Sequence, residues 1–552
     1  MTMITILRVW TICATVSLIC GSDALAHNTT RDQAISELEA APASIVPETQ
    51  TCCSVSISLI SEASNLPIHG TFRITNKETQ DRWWPADWTS APELRRVEDW
   101  WTIDGKATIT LSPGNYRVEA IAGLDTLLTQ KDFSVTKHSV ALTLPIHSFH
   151  LDGMESWWAG NTHLHMLEVT RDFADRYLSI VPSADGLNVV YVSHLQRDGV
   201  DHTYVTNDMR PDDLAQFDTP TLSFGFGQET RHNFGTFGEG YGHILFLAIQ
   251  DILPPVSIGA ELSRMTHDYP PLKPTITSAK DHGASTIWAH NNFGMEDIPS
   301  WIAGLVDAQN LFDGGARTHY ERSVYRYLDI GLKVPLSSGT DWFILDFARA
   351  YVYADALPNS DTWLEALKQG QSFITNGPLL QFEVDGKRPG DTIELCDRHR
   401  PLQVKISAAG RTDFVGLEVL YNGEIIHITQ PEKVDGVYTV EDTFEFSPTS
   451  PGWLAVRTPW ETQKNVFGET IRAHSSAIYF TQNGQKRFSV DTALGLISEM
   501  KFGMRRIESL GRFASDEDKQ TVLKIYRDAI AELEARIEIA RHQSRNETPD
   551  AP

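Results

Sequence analysis

Gly160-Asn161-Thr162-His163-Leu164-His165 follows the apolar residues Trp157-Trp158-Ala159 and precedes Met166-Leu167. On an extended strand, residues two apart point to the same side, so His163 and His165 can present both imidazoles to one ion. Imidazole and carboxylate together suit Zn²⁺, Fe²⁺ or Mn²⁺. An ion of that kind can turn water into a nucleophile near neutral pH. The stretch therefore predicts a strand that delivers metal ligands.

A lone His-x-His is a weak signal, because 19 histidines in 552 residues supply roughly 0.7 such pairs by chance. Its company strengthens it. Ten of the 19 histidines lie between His163 and His319, and several sit where an apolar run stops. Residues 187–192 read as a strand ending at Ser193-His194, and 221–226 as one ending at Gly227-Gln228-Glu229. His243 opens Ile244-Leu245-Phe246-Leu247, Thr286-Ile287-Trp288-Ala289 ends at His290, and 334–340 ends at Asp341. Helical periodicity over 298–309 and 361–368 separates some of these runs. Strands alternating with helices, with polar residues at the strands' carboxyl ends, predict a (β/α) barrel with its site at that rim. Glycine-rich stretches at 225–227 and 235–240 do not lie between a strand and a helix, as a phosphate cradle requires, and read as loops near the mouth.

The surrounding chain divides by pattern. Arg8, the apolar stretch 9–19 and Ala24-Leu25-Ala26 form a secretory signal over 1–26. This implies a periplasmic or extracellular protein. The bulky Ile19 before Cys20 disfavours a lipoprotein. A polar linker spans 27–52. Alternation such as Ala107, Ile109 and Leu111 around the turn Ser112-Pro113-Gly114-Asn115 predicts an N-terminal β-sandwich over 53–150. Its tryptophans (Trp83, Trp84, Trp88, Trp100, Trp101) read as interface packing. The barrel is assigned to 151–385. A second β-sandwich, 386–488, follows from the alternations at 404–408 and 417–421 with the Asn422-Gly423 turn. In the helical tail, 489–552, a stripe of Val522, Tyr526, Ala529, Leu533, Ile537 and Ala540 packs on the chain's own domains.

Composition narrows the partners. With 47 basic and 72 acidic residues the net charge is −25, which repels nucleic acid and anionic membrane surfaces. No segment after the signal reaches the ~18 apolar residues of a membrane span. The expected partner is a small-molecule substrate, and the oligomeric state is open. Cys52, Cys53 and Cys396 remain after the signal, an odd number that makes no disulfide framework. A bridge from Cys52 or Cys53 to Cys396 is left open.

The order His-x-His, strand-end His, Gly-x-Glu, Gly-His, Ala-His and Gly-Thr-Asp resembles the polymerase-and-histidinol-phosphatase (PHP) domain. With Trp157-Trp158-Ala159-Gly160-Asn161, the stretch 366–378, Val384-Asp385-Gly386 and Pro389-Gly390-Asp391, the chain resembles more closely the CehA/McbA family of PHP-type metallohydrolases. That resemblance implies a distorted (β/α)7 barrel flanked by the two β-sandwiches and the tail. It also implies metal-dependent hydrolysis of an ester, carbamate or amide. His163, His165, Glu229 and Asp341 would hold a first ion, and Glu229 would bridge to a second held by His243 and His290. The cofactor is then one or two divalent ions (Zn, Mn or Fe). Phe343 stands where many PHP domains have a further histidine, so a third ion is not expected, and His194 is left for a catalytic role on substrate or proton. A phosphoesterase is the alternative on the same metals, with Arg231 and Arg349 as available cations. A binding protein with a degenerate site is another.

Overall fold

The computed structural model describes residues 53–84, 99–167, 169–196, 204–234, 239–259, 266–291, 294–313, 320–395 and 400–547. The signal segment, the linker, Cys52, Trp88 and Cys396 lie outside them. The Cys53 thiol is free and faces the Thr136 carbonyl at 2.7 Å.

In the N-terminal region two sheets enclose one apolar core. Cys53–Ser61 lies between Lys106–Leu111 and Val140–Ile146, while His69–Asn76 and Gly114–Ile121 centre the other sheet. Val55, Ile57 and Leu59 alternate inward and meet Phe72, Ile74 and Val118, the period-2 burial that a half-covered strand requires. Trp83, Trp84 and Trp101 pack edge to face within this core. Trp100 turns the other way. It joins the central core against Phe467 and donates its indole N–H to the Val466 carbonyl.

The central region corrects the barrel expectation. Trp157–His165, Val189–His194 and Ser223–Asn233 do run parallel. Then Glu239–Leu247 pairs antiparallel with Ser223–Asn233, and Ser285–Trp288 pairs antiparallel with Glu239–Leu247. Arg349–Tyr353 is antiparallel to Trp157–His165, and Ser372–Thr375 continues that order. The sheet is mixed and strongly curled. The fold is predominantly β and is not a (β/α)7 barrel. Connection length explains the difference. Five residues separate Asn233 from Glu239, enough for a hairpin but not for the dozen or more of a helical crossover. The helical reading of 298–309 also fails: the helix Asp297–Ile302 stops early and Ala308–Asn310 is a strand.

The C-terminal β-region is likewise not a separate sandwich. Ala473–Ser475 hydrogen-bonds to Ser372–Thr375, so Gly452–Arg457, Ile478–Thr481 and Leu417–Tyr421 extend the central sheet. Leu379–Val384, Leu402–Gly410, Val437–Phe446 and Glu432–Val434 make a second sheet beside it. The tail forms two packed helices, Val490–Leu510 and Asp516–Glu547. Val522, Tyr526, Ala529, Leu533 and Ile537 are buried in the central core. Among the described residues no helix is long and apolar enough to cross a membrane.

Where the tail meets the sheet, two neighbouring carboxyls are fully buried. Asp297 accepts a hydrogen bond from the Tyr327 hydroxyl at 2.5 Å, and Glu296 accepts from the Lys273 backbone N–H at 3.0 Å. Tyr526 of the second tail helix lies in the field of both. Burial raises Glu296 to about 8 and Asp297 to about 7. Both carboxyls keep their protons to higher pH in the folded chain than in the unfolded one, so their contribution is complete below the ordinary carboxylate range near pH 4. It is lost as pH rises through about 7 to 8. The melting temperature of the chain should therefore fall between pH 5 and pH 9. A Glu296→Gln/Asp297→Asn variant should flatten that slope; an unchanged slope in the variant would contradict the assignment.

Candidate metal centre

The strand Trp157–His165 carries His163 and His165 on one face, as the period of two requires, and both side chains are fully buried. Asn161 holds this turn: its amide oxygen accepts from the His163 N–H at 3.0 Å and its NH₂ donates to Thr340 at 2.8 Å. Gly339 allows the close approach of the Asp341 loop, since a Cβ there would sit 2.4 Å from the His163 Cβ. Glu229 and His243 come from the hairpin. Arg231 lies opposite His243 in register, which sets Glu229 and His243 diagonally on one face. They sit mid-strand, not at strand ends. His290 and Asp341 each follow a strand or turn with φ of 62°. Side chains in this left-handed region cost on the order of 1–2 kcal/mol each, and two residues of one site bear that cost.

The ligand atoms converge. His163 Nε2 lies 3.0 Å from His165 Nε2, 3.6 Å from Glu229 Oε2 and 3.5 Å from Asp341 Oδ1, and His165 Nε2 lies 3.1 Å from Glu229 Oε2. On the other side of Glu229, Oε1 is 2.8 Å from His243 Nδ1 and 3.8 Å from His290 Nε2, which are 3.1 Å from each other. Bonds of about 2.0–2.2 Å to one ion place neighbouring ligand atoms roughly 3–3.5 Å apart. These clusters could hold metal ions, with Glu229 common to both.

The outward ring nitrogens fix the inward ones. His165 Nδ1 donates to the Ser193 carbonyl at 2.8 Å, and His163 Nδ1 donates to Asp313 at 2.8 Å. His243 Nε2 faces the Asn233 amide oxygen at 3.0 Å. In neutral rings the opposite nitrogens are then bare acceptors pointing at one another, an arrangement that a proton or a cation must relieve. Without an ion, protons take that place. Burial opposes charge on His163, but Asp341, Asp313 and Glu229 outweigh it and lift its pKa well above the usual range. Asp313 does the same for His290, to about 9 despite burial. Burial disfavours the Glu229 carboxylate, yet His243, Arg231 and the other rings pull it well below its usual value. Burial and Arg231 lower His243.

Asp313 is the site residue that sequence reading missed. It is fully buried, bonds His163 Nδ1, lies 3.4 Å from His290 Nδ1 and accepts the His290 N–H at 3.1 Å. Asn310 anchors it at 2.8 Å. The signal was present: the run Leu311-Phe312 ends at an acid, as 221–226 and 334–340 do, but the helical reading of 298–309 hid the strand before it.

His194 ends the strand Val189–His194 opposite Gln228, one residue before Glu229, and is partly exposed where the ligands are not. Burial, Arg210 and His165 lower it to about 4. It is a neutral imidazole at pH 7. Phe343 packs on Phe173 and Tyr177, filling the space of the missing histidine with rings. Arg349 is fully buried against Asp185 and the Phe347 and Asp185 carbonyls, so it is spent on structure. Arg231 is buried on the same face as Glu229, and its charge acts on both Glu229 and His243.

No family model and no curated protein matches the chain. Among solved structures, a Streptococcal ancillary pilin is similar at 13% identity, covering 22% of this chain and 37% of the pilin, with a TM-score of 0.13. The Bacillus anthracis TIE protein is 8% identical over 78% of this chain and 50% of its own, with a TM-score of 0.13. A Bacteroides uniformis beta-glucuronidase is 11% identical over 76% and 58%, with a TM-score of 0.16. This chain thus spans about a third to three fifths of their lengths, and the likeness is too slight to carry an argument.

Because Glu229 belongs to both clusters, Glu229→Gln should abolish metal retention through dialysis. Asp313→Asn should weaken affinity about 10- to 100-fold, acting through the rings it orients. Metal per chain by plasma mass spectrometry checks both. Full metal content in Glu229→Gln would remove the site from consideration.

Proposed function

We propose that this chain is a secreted, metal-dependent hydrolase acting on a carbonyl substrate: an ester, carbamate or amide. The observation that carries the reading is the pair of buried His/carboxylate clusters sharing Glu229, with a partly exposed, neutral His194 at the end of the neighbouring strand. The motif order that resembles CehA/McbA hydrolases supports the carbonyl class, although the sheet is not the barrel that resemblance implied. His163, His165, Glu229 and Asp341 would hold one ion, and His243 and His290 with Glu229 a second, of zinc, manganese or iron. When bound, such ions lower the pKa of water towards 7 and polarise a carbonyl oxygen.

The remaining roles belong to the chain. Asp313 and the Ser193 carbonyl lock the rings so that their inward nitrogens stay basic. The low pKa of His194 keeps it uncharged, so its N–H can donate a hydrogen bond to a developing oxyanion, or its bare nitrogen can accept a proton from the attacking water and hand that proton on to the leaving group. A fixed imidazolium could not accept the proton back. Arg231 favours a second reading, phosphoester hydrolysis, because a buried guanidinium beside the shared carboxylate suits a phosphoryl oxygen.

Turnover of aryl ester, aryl carbamate and aryl phosphodiester by the mature chain, with and without chelator, separates the readings. Carbonyl hydrolysis lost on chelation and restored by metal is the expected result. Removing the ring with His194→Ala should lower kcat about 100-fold while metal content stays constant. Phosphodiester turnover alone would favour the second reading. No turnover of any substrate by metal-loaded chain would overturn both.

A further inference from the structure

A solvent-open cleft of about 350 Å³ lies between the turn that follows Val324–Asp329 and the strand Ile478–Thr481. It sits at the start of the run 334–340, whose other end supplies Asp341. Leu328, Tyr479 and Phe480 give it an apolar lining, and Lys333, Lys486 and Arg487 bring three cations to it. The two lysines set it apart. The chain holds 72 acidic against 47 basic residues, and Lys77, Lys280, Lys368 and Lys524 each pair with a carboxylate. Among the described residues, neither Lys333 nor Lys486 does. Lys333 Nζ is held by the Gly390 carbonyl at 3.1 Å and lies 5.3 Å from the centre of the Tyr479 ring. Burial and the nearby charge of Lys486 lower its pKa, and Asp391 offsets them in part.

The acids around the cleft are committed elsewhere. Asp329 accepts the Trp453 indole N–H at 3.0 Å and the Arg487 Nε–H at 2.6 Å. Glu394 accepts the Thr481 hydroxyl at 2.6 Å, and Asp391 accepts the Arg388 N–H at 3.0 Å. Arg487 keeps the two NH₂ groups of its fork. The Tyr479 hydroxyl accepts the Val334 N–H at 2.9 Å. Burial raises its pKa, so it retains its own proton to donate. We propose that this cleft is a phosphate-binding site, separate from the metal centre, that takes the anion between Lys333 and Lys486. Two ammonium groups near each other without a carboxylate partner repel, and an anion between them relieves that repulsion. Lysine serves phosphate as a point charge, and the Arg487 fork adds directed donors.

Isothermal titration of the full chain with inorganic phosphate at fixed ionic strength tests this. One saturable site is expected in the wild type, and it should persist in Glu229→Gln, where the metal centre does not contribute. Lys486 is exposed, so Lys486→Gln should leave metal content unchanged and should not lower the melting temperature. It should weaken phosphate about tenfold, as should Lys333→Gln, and the double variant should lose binding. Phenyl phosphate binding tighter than inorganic phosphate would assign an organic monoester, with its body on Leu328 and Phe480, as the occupant. Equal binding would assign the free ion. No saturation up to about 10 mM phosphate, or binding that the double variant leaves intact, would overturn the proposal.

Discussion

Seven side chains from distant parts of the chain bring four imidazoles and three carboxylates into one buried cluster. Everything else at the site depends on how that charge is balanced. The outward nitrogens of His163, His165 and His243 are committed to a carboxylate, a carbonyl and an amide. The inward nitrogens must therefore share something positive. Protons can serve, and the raised pKa values of His163 and His290 show the surrounding carboxylates favouring them. One or two divalent ions would satisfy the same acceptors with bonds the spacing already fits.

The fold serves this convergence with economical local devices. An antiparallel hairpin delivers Glu229 and His243 diagonally on one face. A glycine at 339 lets the Asp341 loop lie against His163. Two left-handed residues aim His290 and Asp341 inward. Around these sits a continuous apolar core that runs from the central sheet into the C-terminal strands and the tail helices. The curled sheet and the helical tail thus form one body supporting the site.

The residues that cluster were legible in the sequence because they stand beside short apolar runs, and that local pattern survives whichever way the strands pair. His163 and His165 follow from the two-residue period alone. The barrel was not legible. Parallel and antiparallel neighbours share the same hydrophobic pattern, and only the five-residue link after Asn233 separates a hairpin from a crossover. Asp313 escaped because Ile298 to Gln309 has helical spacing in its first half and strand character only at Ala308–Asn310. The tail stripe from Val522 to Ile537 was readable, since 3.6-residue spacing over about four turns leaves few alternatives.

X-ray absorption on the metal-loaded chain addresses the central claim most directly. The account predicts a first shell of nitrogen and oxygen at about 2.0–2.2 Å, with the outer-shell signature of several imidazoles. That signature should be lost in a Glu229→Gln chain. A metal bound through sulfur, or through oxygen alone without imidazole scattering, would place it elsewhere in the molecule and contradict the account.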